Sequence, residues 1–194
     1  MKKLTITSVT FLFILPLFFA VHAQYDRSDR YYDDERLWGL GVSYEIRSEN
    51  PTTGLGIRFE RDMVPPESVF KLGMRAHFSY FNESTSVTED EVTLDRDFES
   101  YDFGLALLAG VEVALAKPYI GIGVGTENFS LDSENPDDNF DENNFFWNAF
   151  GGLELAILPS LRPFLEYRIT RFTGTDELDF DDVNRVAVGL TFRF

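Results

Sequence analysis

The sequence predicts an all-β fold, namely an eight-stranded antiparallel up-and-down transmembrane β-barrel with a cleaved N-terminal signal peptide. Three observations lead to this prediction. The chain of 194 residues contains eight runs in which apolar and polar residues alternate. The polar faces of these runs hold small residues and balanced charges, and the connections alternate between short and long. This pattern is typical of membrane-spanning strands joined by short turns on one side and longer loops on the other.

Residues 1–23 have the parts of a secretory signal peptide, because two lysines precede an apolar stretch and Val21-His22-Ala23 forms a cleavage site. An uncleaved membrane anchor is the alternative. The apolar stretch is short for a span of ~20 residues, however, and Pro16 interrupts it. We therefore expect a signal peptide, an acidic N-terminal lead over 24–36, and a barrel over 37–194.

The composition excludes several classes of function. The chain has 33 acidic residues against 17 basic ones, a formal net charge of −16, which disfavours nucleic-acid binding. It contains no cysteine, so disulfides, thiol nucleophiles and thiolate metal sites are excluded. Only two histidines are present, and we expect no cofactor and no metal site.

The eight alternating runs are the predicted strands. Strands of soluble sheets usually have about five to six residues. Most of the runs are longer, and their length fits membrane-spanning strands better. Their boundaries in the sequence are Trp38–Arg47, Gly54–Glu60, Phe70–Tyr80, Tyr101–Val113, Tyr119–Glu127, Phe145–Leu155, Phe164–Ile169 and Arg185–Phe194.

The composition of the polar face indicates whether this face meets solvent or lines the interior of a barrel. A soluble barrel or sandwich would carry many large polar side chains on a solvated face. Here the polar face is mostly Gly and Ala with isolated charges, which fits the narrow interior of an eight-stranded barrel. Seven acids and seven bases lie on this face, so we predict a paired network in the lumen. Its members are Glu45, Arg47, Arg58, Glu60, Lys71, Arg75, Asp102, Glu112, Glu127, Glu154, Glu166, Arg168, Arg185 and Arg193.

Two of these acids give a sharper expectation. Glu112 and Glu154 occupy matching ends of the fourth and sixth runs, and we expect each of them to contact an inward arginine. The alternative is a water-filled pore in which the charges pair loosely or not at all.

The connections between the runs are asymmetric. Short, proline-marked ones are predicted over 61–68, 114–118 and 157–163, and longer polar ones over 82–100, 130–144 and 173–182. The three long loops hold seven, six and five acids and a single base, Arg96. We expect these acidic loops to be extracellular and both chain ends to be periplasmic.

Three motifs carry a resemblance to a known family. They are the strand ends Gly110-Val111-Glu112-Val113 and Gly151-Gly152-Leu153-Glu154-Leu155, the glycine ladder Gly121–Gly125, and the closing strand Val186–Phe194. In these the chain resembles the small outer-membrane barrels of the OmpA/OmpX type and the porin-like "outer membrane protein beta-barrel domain" family.

The resemblance implies a position in the bacterial cell outer membrane, in contact with its lipid and lipopolysaccharide. Phe194 resembles the terminal signal that the barrel-assembly machinery reads. We further expect a monomer whose acidic loops are available to a surface partner.

Three functions remain open. We expect a non-enzymatic outer-membrane barrel that serves envelope structure or surface interaction. A lipid A deacylase-like enzyme is an alternative, because His77-Phe78-Ser79 has the His-x-Ser spacing of that family. Tyr80 replaces the asparagine that follows in the family motif, and both side chains are predicted to face the lumen. A narrow-channel porin is the third possibility. The acidic run 132–139 could also bind Ca²⁺, but it lacks the spacing and glycine of an EF-hand.

Overall fold

The computed structural model describes residues 37–65, 68–89, 92–133, 140–158, 160–173 and 182–194. The expected signal peptide, 1–23, and the acidic lead, 24–36, lie outside the described residues. So does most of the acidic run 132–139 that was considered for Ca²⁺. Within the described ranges, no helix is long and apolar enough to span a membrane.

Eight antiparallel strands close into a single barrel in which each strand pairs with its neighbours in sequence and the last strand pairs with the first. The predicted all-β, eight-stranded up-and-down topology is therefore confirmed. The strands are β1 Trp38–Arg47, β2 Thr53–Asp62, β3 Phe70–Glu89, β4 Val92–Val111, β5 Ala116–Ser133, β6 Phe140–Leu155, β7 Leu161–Thr173 and β8 Asp182–Arg193.

The two ends of the barrel differ, and we name them by what they carry. The terminal end holds Trp38 and Phe194, whose backbones exchange two hydrogen bonds of 3.1 and 3.0 Å. The loop end holds the turn between β1 and β2 at residues 48–52 and the tips of the long hairpins. Whether the terminal end faces the periplasm, as the sequence predicts, stays a prediction.

In the structure, the apolar residues of each strand point outward and the polar residues point into the barrel. Outward side chains such as Leu105, Ile120 and Val188 are 56%, 69% and 55% exposed. An apolar surface that encircles the molecule is unfavourable in water and is the surface that a bilayer requires. The small buried apolar cluster within the barrel is formed by Ala106, Tyr119 and Phe150.

One expected loop is largely sheet. Residues 82–100, predicted as a loop, continue β3 and β4 as a hairpin paired as far as Glu89 and Val92. β5 likewise extends to Ser133, into the second expected loop, and runs beside β4 as far as Arg96. Both faces of a sheet outside a membrane can be polar, so the apolar alternation stops while strand pairing continues. The threonines and valines of this segment favour strands, and they were the feature of the sequence that could have predicted the hairpin.

Arginine at Leu105 tests the assignment of the outside to lipid. Leu105 points outward from the middle of β4, between Ala76 and Val124 on the neighbouring strands. We predict that Leu105→Arg lowers the free energy of unfolding in vesicles by about 2–4 kcal/mol, as arginine does at the bilayer midplane. Urea titration of barrels in phosphatidylcholine vesicles measures the change.

Thr191→Ser is the matched control, because its hydroxyl accepts a 2.6 Å hydrogen bond from Arg58 inside the barrel and serine retains this group. Unfolding free energies that are equal for wild type and Leu105→Arg would show that this face does not meet lipid.

Candidate functional site

The lumen is the most polar interior of the molecule, and the predicted charges lie in it. Thirteen of the fourteen are at most 7% exposed. Glu112 differs, because it follows the end of β4 and its side chain is 14% exposed. The alternation of strand residues explains this placement, since every second side chain of a barrel strand points inward.

Four ion pairs cross the barrel between opposite strands. In a closed barrel of eight strands, the strand opposite a given one is four positions away. Each of the four opposite pairs is bridged by one arginine and one carboxylate. The bridges are Arg47–Glu127 between β1 and β5 (2.6 Å), Arg58–Glu154 between β2 and β6 (3.2 Å), Arg75–Glu166 between β3 and β7, and Arg185–Asp102 between β4 and β8 (2.7 Å).

Further contacts join these bridges toward the terminal end. Glu60 lies 3.2 Å from Arg58, 2.8 Å from Arg75 and 2.8 Å from Arg193. Glu154 lies 3.4 Å from Arg193 as well. Each carboxylate therefore faces several guanidinium groups, which offsets the cost of removing its charge from water.

Glu166 is the second acid of this group. Its carboxylate accepts a 2.9 Å hydrogen bond from the Tyr119 hydroxyl and lies 2.8 Å from Arg168. Arg75 reaches the same carboxylate from β3, and Arg58 of β2 lies 3.8 Å from it, so groups from four strands converge on Glu166.

A second group of charges lies toward the loop end. Arg185 contacts Glu45 at 3.2 Å in addition to Asp102. Arg47 donates hydrogen bonds to Glu127 and to the backbone carbonyls of residues 49, 50 and 51, at 2.6 to 3.1 Å. The side chain of Arg47 thus links the carboxylate of Glu127 in the lumen to the turn between β1 and β2 at the loop end.

Inward aromatic rings support the arginines. The guanidinium groups of Arg47 and Arg185 lie 4.7 and 4.6 Å from the ring of Phe81. That of Arg58 lies 3.3 Å from the ring of Phe164. Cation–π attraction strengthens when water is excluded, so the rings both fill space and stabilise the charges.

Small residues make the room that these long side chains occupy. A Cβ atom at Gly41 would lie 2.8 Å from the side chain of Arg58, and one at Gly104 would collide with the His77 ring. These contacts are the physical reason for glycine on the polar faces of the strands. A larger residue at either position would displace a member of the lumen.

Small recesses lie between the side chains of the lumen. Two recesses stand out, one toward each end of the barrel. The recess lined by Glu60, Lys71 and Lys117 has a volume of about 20 Å³, and the one lined by Arg47 and Glu127 about 10 Å³. About 10–15 Å³ is the space of a single water molecule. Neither recess has room for a solute.

The sequence interpretation missed three charged members. Asp62 lies 3.2 Å from Arg193 and 3.4 Å from Lys117, and Arg162 lies 3.3 Å from Glu154. Lys117 was assigned to a turn, whereas β5 begins at Ala116. Asp62 and Lys117 could have been predicted to point inward, because each lies two residues from an inward residue of its strand. Continuing the alternation of β2 and β5 by two residues would have placed both inside.

The expectation for the two matching acids holds for one of them. Glu154 contacts Arg58, Arg162 and Arg193. Glu112 instead lies 3.4 Å from Lys71. Glu112 follows the last residue of β4 at the terminal end of the barrel, and there it lies beside the start of β3.

His77 and Ser79 both point into the lumen, at 4% and 1% exposure. The Ser79 hydroxyl accepts a 3.2 Å hydrogen bond from Arg185, and His77 Nε2 lies 3.6 Å from Asp102. Neither ring nitrogen of His77 forms a hydrogen bond with a described residue. In this structure Ser79 is therefore hydrogen-bonded to Arg185 and not to His77.

The sequence matches the family model described as "Outer membrane protein beta-barrel domain" over residues 11–194. The chain belongs to this family. Its place is therefore the bacterial outer membrane, and the apolar exterior of the barrel is the surface that faces lipid. No curated protein sequence matches this outer-membrane barrel.

Solved structures with the same fold share little sequence with this outer-membrane barrel. A major outer membrane protein from Thermus thermophilus matches with a TM-score of 0.64 and 11% identity, covering 81% of this chain and 98% of that one. Neisserial surface protein A matches at 0.57 and 13%, covering 81% and 96%. Ail of Yersinia pestis, solved in complex with the heparin analogue sucrose octasulfate, matches at 0.52 and 15%, covering 81% and 96%. These similarities support the fold.

Removal of one carboxylate charge separates buried pairs from exposed ones. We predict that Glu154→Gln lowers the unfolding free energy by about 3–5 kcal/mol, because it removes one negative charge from a buried cluster. Arg58 and Arg193 then share the carboxylate of Glu60, and one buried positive charge is no longer compensated. Glu112→Gln should cost less than about 1 kcal/mol, because its side chain is 14% exposed and its 3.4 Å ion pair with Lys71 lies at the rim of the barrel.

Urea unfolding of both variants in vesicles gives the comparison. Equal, small effects at the two positions would indicate a hydrated pore in place of a closed network.

Proposed function

We propose that this protein is a non-enzymatic outer-membrane barrel whose closed lumen serves as a rigid support for an acidic interaction surface at the loop end. The observation that carries the proposal is the set of four ion pairs across the lumen. They occupy the space through which a solute would pass, so the part of the molecule available to partners is its outer rim.

A sheet that projects beyond the barrel body supports this proposal. The last partner that β2 gives to β3 is Phe81, opposite Gly54. β3 continues to Glu89, so residues 82–89 have no neighbouring strand on that side among the described residues. Thr52 bonds Glu83 at the base of this edge, at 2.6 and 2.9 Å. An unpaired edge can accept an extended segment of another chain by backbone hydrogen bonding.

The charge on the projecting sheet indicates the chemistry of such a partner. Asp97 and Glu99 of β4 and Asp132 of β5 are exposed, and Asp97 lies directly opposite Asp132. Like charges in opposite positions destabilise a sheet. A partner with basic side chains would relieve this repulsion, and we propose a cationic polypeptide as the partner class.

Two observations disfavour the enzymatic alternative. The hydroxyl of Ser79 is engaged by Arg185 rather than by His77, and both side chains are enclosed by the barrel wall. An acyl chain of lipid A would lie on the outside of that wall. The contacts in the lumen likewise disfavour the porin alternative.

Single-channel recording tests the closed lumen. We predict no steady conductance for the barrel in planar bilayers at neutral pH, because the ion pairs block the lumen. Removing the side chain that holds the mouth, by Arg47→Ala, should at most produce brief openings, since Arg58, Arg75 and Arg185 still cross the barrel. Long-lived, reproducible channels in the wild type would contradict the proposal.

Binding of a cationic peptide tests the interaction surface. We predict that an extended poly-lysine peptide binds the barrel in nanodiscs, and that the triple variant Asp97→Asn, Glu99→Gln, Asp132→Asn weakens this binding at least tenfold. Fluorescence anisotropy of a labelled peptide at physiological salt measures the affinity.

Asp182→Asn is the control variant. Asp182 is also exposed at the loop end, on β8, and is already paired with Arg171 at 2.7 Å. Equal loss of affinity in the control would reduce the effect to overall charge and contradict a binding surface on β4 and β5.

A further inference from the structure

Two arginines point outward from the described part of the barrel, one near each end. Arg61 is the last outward residue of β2 at the terminal end, and Arg171 lies on β7 at the loop end. Each lies near one of the two tryptophans of the chain. Arg61 is 4.8 Å from the ring of Trp38, and Arg171 is 6.0 Å from the ring of Trp147.

The two arginines differ in what satisfies their charge. Arg171 forms two hydrogen bonds of 2.7 and 2.9 Å to the carboxylate of Asp182. Arg61 contacts the ring of Trp38, and no carboxylate of the described residues, that of the C-terminus included, is ion-paired with it. Asp62, the next residue, is held by Arg193 and Lys117 inside the barrel. The guanidinium of Arg61 therefore keeps its donors available.

Neighbouring rings fix the position of that guanidinium. Trp38 stands directly opposite Arg61 in the pairing of β1 with β2. The Trp38 ring also stacks on Phe59, with centroids 5.1 Å apart and an angle of 24° between the planes. An arginine resting on such a platform is restricted in motion, so less conformational entropy is lost when it binds an anion.

The location of the site indicates the chemistry of the ligand. Tryptophan is enriched where membrane strands meet the lipid headgroups, and phosphate is the anion at that level. Guanidinium binds phosphate through paired hydrogen bonds. Beside Arg61, Met74 on β3 and Phe59 on β2 are 44% and 42% exposed on the outer face, and acyl chains can pack against them.

We propose that Arg61 and Trp38 form a binding site for the phosphate of a glycerophospholipid in the leaflet at the terminal end of the barrel. Arg171 has no equivalent role, because Asp182 neutralises it. The site thus gives the barrel a phosphate contact in one leaflet that Arg171 does not provide in the other.

Tryptophan fluorescence tests this site, because Trp147→Phe leaves Trp38 as the one emitting tryptophan. The Trp147→Phe barrel in dodecyl maltoside micelles is titrated with dihexanoyl phosphatidylglycerol, and dihexanoylglycerol, which lacks phosphate, serves as the control lipid. We expect a saturable change in Trp38 emission with the phospholipid alone. Adding Arg61→Gln should weaken the apparent affinity at least tenfold, and Arg171→Gln should leave it unchanged.

Native mass spectrometry provides a second readout that does not depend on tryptophan emission. Wild type and Arg171→Gln should retain bound phosphatidylglycerol, and Arg61→Gln should lose it. A difference in electrophoretic mobility between the unheated and the heated sample verifies that each variant is folded. Equal titrations for Arg61→Gln and its parent, or equal responses to the two lipids, would overturn the proposal.

Discussion

Each pair of strands that face one another across this barrel is joined through the lumen by an arginine and a carboxylate, and the interior is organised around this constraint. A guanidinium taken out of water without a partner is expensive, whereas one that faces carboxylates and aromatic rings is tolerated. Arg75, at 2% exposure, meets both Glu60 and Glu166. The glycines opposite the long side chains follow from the same constraint, because a narrow interior cannot hold two large residues at one level.

The ion pairs across the lumen favour the proposal that the barrel functions at its surface. The described recesses have space for about one water molecule each, which supports the proposed closed lumen. The loop end, in contrast, carries a sheet that extends past the barrel body with exposed acids, and among the described residues no strand lies beside residues 82–89 of β3. In the proposed function, the barrel holds this sheet at the membrane, and the projecting part of the sheet is the part that partners would meet.

Much of this architecture could be predicted from the sequence, since a period of two assigns every residue of a strand to one face. Parity placed Glu45, Arg168 and Arg185 inside without any structural information. The partners could not be predicted, because the stagger between strands decides which inward residues share a level. Glu112 was expected beside an arginine and lies instead beside Lys71.

The ends of the strands were the other difficulty. Outside the lipid, both faces of a strand can be polar, so the extension of β3 to Glu89 left no apolar pattern. Pro118 suggested a turn at the opposite end, although it lies within β5 on the outer face, and the inward Lys117 was missed for this reason.

The central claim is that the ion pairs across the lumen are direct and shielded from water. A double-mutant cycle on Arg75 and Glu166, which join β3 to β7, tests it most directly. The single variants Arg75→Met and Glu166→Gln and their combination are unfolded with urea in vesicles, and the coupling energy is obtained from the three changes. A shielded pair predicts a coupling above about 1.5 kcal/mol. A coupling below about 0.5 kcal/mol, the range of solvent-exposed pairs, would contradict the closed lumen.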